Sequence, residues 1–423
     1  MKLPARIGAV EFDEDDIRIA VVNTGGRTPS IVDGCACRAV YESASERFEA
    51  LVAAVGHARA QLKVKPSAWV LCARSDNAIA RKLVLPFKGR GKVAAAVPFE
   101  LEPFLAFPID ELAVDYSVIR EADGNTEVLA VGVRRTLLEE QLDVLNAGGI
   151  AIEGIGLDAT GLTSLLRAGQ GGKNGPVAAL HVRERGASLV VTRGAALVFL
   201  RHLPLTAGQF RNEPADAARE VQNTLRAFQA SWPEDEAGVS ELVVTGYAMP
   251  EAHRADFEQE LEVAVRQVDL LEGMKSAARA RLAVPATLVS PGGAAAPAAG
   301  ETGEDVPLED GANTWAALAG VALTAAGGAY GLDFRTGPLA GTAGWGGLMR
   351  HVVFSASLAA LLLVGYSVYM YVSYQRNRAE IERIGNAIWE YYEEAFPASP
   401  KVQSGRPPAD VGGAVAMDMM RAD

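Results

Sequence analysis

This 423-residue sequence predicts an α/β chain: two half-domains of one strand order, then a single membrane-spanning helix. Three observations predict it. A strand–strand–strand–helix–strand order occurs twice. A run of 22 uncharged residues lies at 352–373. Charged Glu11, Asp13, Glu14, Asp15 and Asp16 follow the N-terminus closely, so no cleaved signal peptide is expected.

The first half opens with apolar runs at 6–12, 17–24 and 30–40, parted by Asp13-Glu14-Asp15 and Gly25-Gly26, which are turn residues. Residues 46–62 form a helix, because Phe48, Leu51, Val52, Val55 and Leu62 recur at helical spacing. Residues 69–72 are a short apolar strand. The second half repeats the order: strands at 177–182, 187–192 and 196–203, a helix at 214–232, and a strand at 241–245. A duplicated order of this kind is an internal repeat. It is the ribonuclease-H-like unit, and two such units make the actin-like fold. Between the halves, strands at 79–87, 112–120 and 128–134 and helices at 93–104 and 136–147 predict an inserted subdomain over about 79–150.

The uncharged run 352–373 spans about 33 Å as a helix, enough for a bilayer core. Trp345, Tyr371 and Tyr374 stand near its ends, where interfacial aromatics lie. The bulk upstream, without an export signal, places the N-terminus in the cytoplasm. A net charge of -12 argues against nonspecific nucleic-acid binding. Cys35, Cys37 and Cys72 are too few and too unevenly placed for a disulfide framework, and fit a reducing compartment.

Residues 98–116, with Phe104, Phe107-Pro108, Asp110-Glu111 and Asp115-Tyr116, resemble a stretch of the PilM and GspL proteins. Arg201-His202-Leu203-Pro204 is similar to their Arg-x-Ile-Pro segment. Leu332-Asp333-Phe334-Arg335-Thr336-Gly337 resembles the Asn-Leu-Arg-Gln-Gly stretch before the GspL membrane helix, and Phe396-Pro397 to Val402 a stretch beyond it. The membrane run favours the type II secretion GspL family over PilM. The resemblance implies an actin-like cytoplasmic domain and a bacterial inner-membrane location. It also implies a GspE-like secretion ATPase as cytoplasmic partner, with GspM-like and GspF-like proteins as membrane partners. GspL proteins carry a small ferredoxin-like periplasmic domain, for which the segment after the run is too short.

An actin-like ATPase needs glycine-rich hairpins whose amides approach phosphate, and aspartates that hold metal and water. Here the first hairpin reads Ala9-Val10-Glu11-Phe12-Asp13-Glu14, with the family's glycine missing, and its acidic residues repel phosphate. The second reads His181-Val182-Arg183-Glu184-Arg185-Gly186, with His181 in the place of the metal-linked aspartate. Gly246, in Thr245-Gly246-Tyr247, keeps one glycine of the adenosine-side pair. Glu11, Asp13, His181 and Gly246 therefore mark a degenerate nucleotide cleft. No catalysis, cofactor or metal is expected. The acidic run reads as a solvated turn and His181 as a strand end. The five histidines form no metal motif, and neither a phosphate-binding Gly-x-x-x-x-Gly-Lys loop nor a Gly-x-Ser-x-Gly elbow occurs.

Residues 1–286 are thus the actin-like domain. Residues 287–311, rich in Ala, Gly and Pro and then acidic, read as a flexible linker. Residues 312–336 return a final helix and strand to the domain, and 337–351 lead flexibly to the membrane. Residues 374–423 are a periplasmic helix and tail. In it Ile381, Ile384, Ile388 and Tyr391 form a short heptad seam, which predicts a homodimer through 374–395.

Overall fold

Strands β1 (Arg6–Asp13) and β2 (Asp16–Asn23) are apolar runs hinged on an acidic turn, with Glu14 in the left-handed region at φ 56°. The structure is a computed structural model. It describes residues 5–25, 29–170, 175–194, 196–232, 238–247, 249–267, 286–297, 315–327, 331–340, 345–395 and 397. Two compact units, Met1–Gly341 and Thr342–Asp423, divide the chain.

In the first unit, β3 (Ser30–Ala39) pairs antiparallel with β2. Helix α1 (Arg47–Gln61) leads to β4 (Ala68–Ala73), which runs parallel to β1. Next come β5 (Ala78–Leu85), α2 (Arg90–Leu101), β6 (Leu112–Ala122), β7 (Asn125–Arg134) and α3 (Arg135–Ala147). Strand β8 (Gly154–Leu157) then runs parallel to β4, and α4 (Asp158–Gln170) leaves the first half.

The second half begins with the antiparallel strands β9 (Pro176–Arg183), β10 (Gly186–Arg193) and β11 (Ala196–Leu203). Helices α5 (Ala207–Asn212) and α6 (Pro214–Ala230) follow; a Thr206/Gln209 capping box opens the one and Pro214 the other. Strand β12 (Glu241–Thr245), α7 (Glu251–Leu261) and β13 (Ala264–Gln267) end the half. Its sheet order, β11-β10-β9-β12-β13, matches β3-β2-β1-β4-β8 of the first, with the same strand directions. The duplication is therefore real, and the fold is actin-like.

Three expected boundaries change. The three-stranded sheet β5-β7-β6 holds only residues 78–134, so the insertion does not run to 150. Helix α3 packs on α1, as α7 packs on α6, and buries Leu138, Val144 and Leu145 in the first half's core. It belongs to the repeat. The expected linker 287–311 is wrong at its start. Thr287–Val289 (β14) pairs parallel with β3 and antiparallel with Ala295–Pro297 (β15), turning at Gly292-Gly293. The free edge of β3 supplies the partners that an Ala/Gly composition conceals. Residues 298–311 lie outside the described residues.

The third change concerns 331–336, which pair as no strand among the described residues. Helix α8 (Ala316–Gly327) crosses α4 so closely that a Cβ on Gly161 or on Gly320 would strike the other helix's backbone. Beyond it, one backbone bond, Phe334 N to Ile155 O at 2.9 Å, runs beside β8. Asp333 does the rest. Its Oδ1 accepts from Ile155 N and Arg335 N, both at 3.0 Å, and its N–H donates to Asp115 Oδ2 at 2.8 Å. Leu332, Phe334 and Leu339 are buried in the first half's core. The segment is thus a docked strap.

Among its described residues the second unit holds one helix, α9 (Trp345–Ala395, 51 residues). It begins inside the lead expected to be flexible, and the expected membrane run 352–373 lies within it. Among the described residues, Ser355–Ala395 is the one stretch long and apolar enough to cross a membrane. Leu361, Leu362, Leu363 and Val364 are exposed on it. Ile381, Ile384 and Tyr391 of the seam are exposed as well.

Candidate functional site

The repeat brings the β1–β2 turn of one half opposite the β9–β10 turn of the other. In an actin-like ATPase these turns hold phosphate between them. Here one turn is acidic and the other basic, and they hold each other.

Arg183, the last residue of β9, is buried, 4% exposed. Its Nη1 donates to Glu11 Oε1 at 3.2 Å. Its Nη2 donates to Asp158 Oδ2 at 2.7 Å and to Ser188 Oγ at 3.3 Å. Glu11 and Asp158 are 2% and 0% exposed. Register fixes the first contact, because Glu11 is on β1, flanked by Arg18 on β2 and Cys72 on β4. The end of β8 fixes the second, because Asp158 opens α4 and its Oδ1 accepts from Ala159 N at 2.6 Å and Ser75 N at 3.1 Å. A Ser75–Ser188 hydroxyl pair at 2.7 Å also crosses between the halves.

Asp13 is paired too. It meets Arg74, and Arg18 lies 3.8 Å from it and 3.5 Å from Glu11. At the turn tips Glu14 pairs with Arg185. Asp15 accepts from Arg47 Nε at 3.0 Å and Tyr41 Oη at 2.9 Å, and Asp16 takes both arms of Arg38. The acidic run is therefore a partly exposed turn that is also paired. Each of its four carboxylates has a cationic partner.

The electrostatics follow from this pairing. Burial alone would raise the Asp158 carboxyl, but the Arg183 guanidinium and the Ser75 hydrogen bonds outweigh it and hold the pKa below its usual value. Burial would lower the Arg183 pKa, and Asp158 and Glu11 reverse that. His181 faces Thr245 across the β9–β12 ladder. Burial first, then the Arg183 charge, push its pKa down to about 3, so the ring is neutral. Neither of its ring nitrogens has a partner, nor does the Thr245 hydroxyl. Gly246, at φ 86°, packs so tightly that a Cβ would fall on the Val182 carbonyl oxygen and against the His181 ring.

The structure thus gathers the four residues expected to line a cleft. It adds six that sequence reasoning passed over: Arg183, Asp158, Arg18, Arg74, Ser75 and Ser188. Arg183 and Arg185 stand in the second turn in plain sight. The signal is their complementarity to Glu11 and Glu14, which appears only when the two repeats are aligned. These residues do not fit a nucleotide with its metal. A guanidinium takes the position of the positive charge, the carboxylates are already satisfied, and the adenosine-side glycine is packed on its own sheet. Among the described residues no three His, Cys, Asp or Glu side chains converge as metal ligands. Cys35, Cys37 and Cys72 are buried and unpaired with one another, and burial raises the Cys37 thiol to about 11.

Comparison with known proteins agrees with this fold. The family model described as type IV pilus assembly protein PilM matches residues 30–217. Of the solved structures, the PilM–PilN type IV pilus biogenesis complex aligns at a TM-score of 0.59 and 15% identity, over 76% of this chain and 98% of that one. The cytoplasmic domain of EpsL, an inner-membrane component of the Vibrio cholerae type II secretion system, aligns at 0.41 and 12%, over 79% and 99%. A Bacteroides thetaiotaomicron protein with an actin-like ATPase fold aligns at 0.41 and 10%, over 63% and 91%. No curated protein is matched by sequence. The PilM model covers the resembling stretches at 98–116 and 201–204, and those at 332–337 and 396–402 lie outside it.

Proposed function

We propose that this chain is a non-catalytic scaffold of a type II secretion inner-membrane platform. Its actin-like unit recruits a GspE-like secretion ATPase from the cytoplasm. Its membrane helix meets GspM-like and GspF-like proteins, and residues 374–395 pair two copies. One observation carries the non-catalytic reading: the hairpins that cradle phosphate in an ATPase are bonded to each other through Glu11 and Arg183, and Arg183 is bonded also to Asp158 at the start of α4. A phosphate would have to displace a buried guanidinium from two carboxylates and face those carboxylates itself.

The strap supports a mechanical role. Residues 331–340 are the last described residues of the first unit before α9 in the sequence, and Phe334 is fully buried in the first half's core. A load on the membrane helix therefore reaches the core of the folded unit through a short covalent path. No hydrolysis is needed for this.

The match to PilM favours a second reading, a nucleotide-binding component of a pilus or competence machine carried on its own membrane anchor. One experiment separates them. The full chain in detergent is mixed with purified secretion ATPase, and separately with Mg-ATP. The scaffold reading expects copurification with the ATPase and no Mg-ATP binding or turnover above background. Mg-ATP affinity lost on Glu11→Ala would favour the second reading. Phe334→Ala, which removes the strap's anchor, should cost about 3 kcal/mol or more, and expose the segment around 334 to protease while the ATPase still binds.

A further inference from the structure

We propose that Arg183 is a built-in substitute for a divalent cation, holding the cleft of this actin-like unit shut without any ligand. The inference deepens the non-catalytic reading above and rests on it.

Glu11 and Asp158 both come from the first half, from β1 and from the start of α4. Both are buried, and both point at one centre. Two buried carboxylates that face a common point need a positive charge there, or one of them takes up a proton. Asp158 stays ionised, so the charge is supplied, and Arg183 supplies it from the second half. The oxygens around its two terminal nitrogens are Glu11 Oε1, Asp158 Oδ2 and Ser188 Oγ, with Ser75 Oγ adjoining. Carboxylate and hydroxyl oxygens with no soft ligand are the donor set that a hard divalent cation takes. Two further groups keep the set from collapsing on itself. Arg18 balances the other Glu11 oxygen, and Arg74 and Arg18 hold Asp13 away.

A bound cation can leave, and a cleft closed by one can open. A guanidinium attached to β9 cannot leave. It makes closure a property of the chain, not of its ligand state. The Ser75–Ser188 hydroxyl pair and the Glu14–Arg185 pair join the same two halves, so three links hold one position. The unit then presents one fixed surface to its partners, where a cycling actin-like ATPase presents two.

The test replaces the attached cation with a free one. The full chain in detergent micelles is titrated with Mn2+ alone, read by electron paramagnetic resonance, and its melting is followed with and without the metal. The wild type should take up no Mn2+ in the cleft and show no shift in Tm. Arg183→Ala should bind a single Mn2+ and gain several degrees in Tm on its addition. Arg183→Ala with Asp158→Asn should lose at least tenfold in that affinity. Arg183→Lys, which keeps a charge, should remain blind to Mn2+. Should Arg183→Ala fail to fold without metal, recovery of the folded protein in Mn2+ supports the proposal, and failure to recover overturns it. A folded Arg183→Ala that ignores Mn2+, or a wild-type cleft that binds Mn2+ or Mg-ATP, also overturns it. Failure of the secretion ATPase to copurify would sink the scaffold reading and leave this result untouched.

Discussion

The two halves of the actin-like unit share a sheet order and differ in the sign of one turn. In the first half the β1–β2 turn carries Asp13, Glu14, Asp15 and Asp16. In the second the β9–β10 turn carries Arg183, Glu184, Arg185 and Gly186. After the fourth strand of the repeat the first half has Arg74 and Ser75, which enter the ion network, and the second has Gly246, which packs on its own sheet. Topology is thus held by buried apolar strands, which both halves keep. The character of the cleft is set by a handful of turn residues. In this structure those residues are complements of each other, Glu11 to Arg183 and Glu14 to Arg185.

The largest break in this comparison comes from the buried pair. Arg183→Met alone should cost about 3–5 kcal/mol, because it leaves Glu11 and Asp158 buried without a counter-charge. Adding Glu11→Gln and Asp158→Asn should return most of that loss, since hydrogen-bonded neutral groups need no cation. Urea unfolding of the three proteins measures both steps. If the triple variant is as unstable as the single one, packing and not charge complementarity joins the halves.

Apolar runs bounded by turn residues made the strands of both repeats legible, and with them the fold. The rest was hidden for physical reasons. Strand β14 is three residues long and followed by Ala, Gly and Pro, and it is held by a short hairpin partner and by the open edge of β3, which lies far away in sequence. Helix α3 looked like part of the insertion because it follows β7 directly, yet its partner is α1. Asp158 and Arg183 each resemble an ordinary solvated charge, and nothing local marks them as buried partners. Asp333 was visible only as part of a family stretch, whereas its carboxylate replaces the ladder bonds of the strand expected there.

A second asymmetry is smaller. Only the first half carries the insertion, and through it Asp115 receives the strap. Burial, opposed by hydrogen bonds from the Asp333 and Tyr116 amides and by Arg90, and reinforced by the Asp333 charge, raises the Asp115 pKa above its usual value. A raised carboxyl binds its proton more tightly folded than unfolded. Its contribution is therefore present below the unfolded pKa and is lost as pH rises through the folded one. Asp115→Asn should flatten this part of the pH profile. At neutral pH it should change stability by no more than about 1 kcal/mol, in the stabilising direction if the amide oxygen still accepts from Asp333 N. Urea midpoints at pH 4 and pH 7 for both proteins give the comparison. An unchanged slope would remove Asp115 from the coupling of strap and insertion.

The smallest effect tests whether the sign of the turns matters at their surface. Glu14 and Arg185 are 64% and 49% exposed, so water and salt screen their attraction. Glu14→Arg should cost less than about 1 kcal/mol, and Glu14→Arg with Arg185→Glu should recover it, with both differences fading at high salt. Such a result assigns closure of the cleft to the buried Glu11–Arg183–Asp158 contact and leaves the tips as steering charges. A loss several times larger, undiminished by salt, would mean that the tips are desolvated and share the work of closure. The two halves would then be complementary along the whole turn and not only at its buried root.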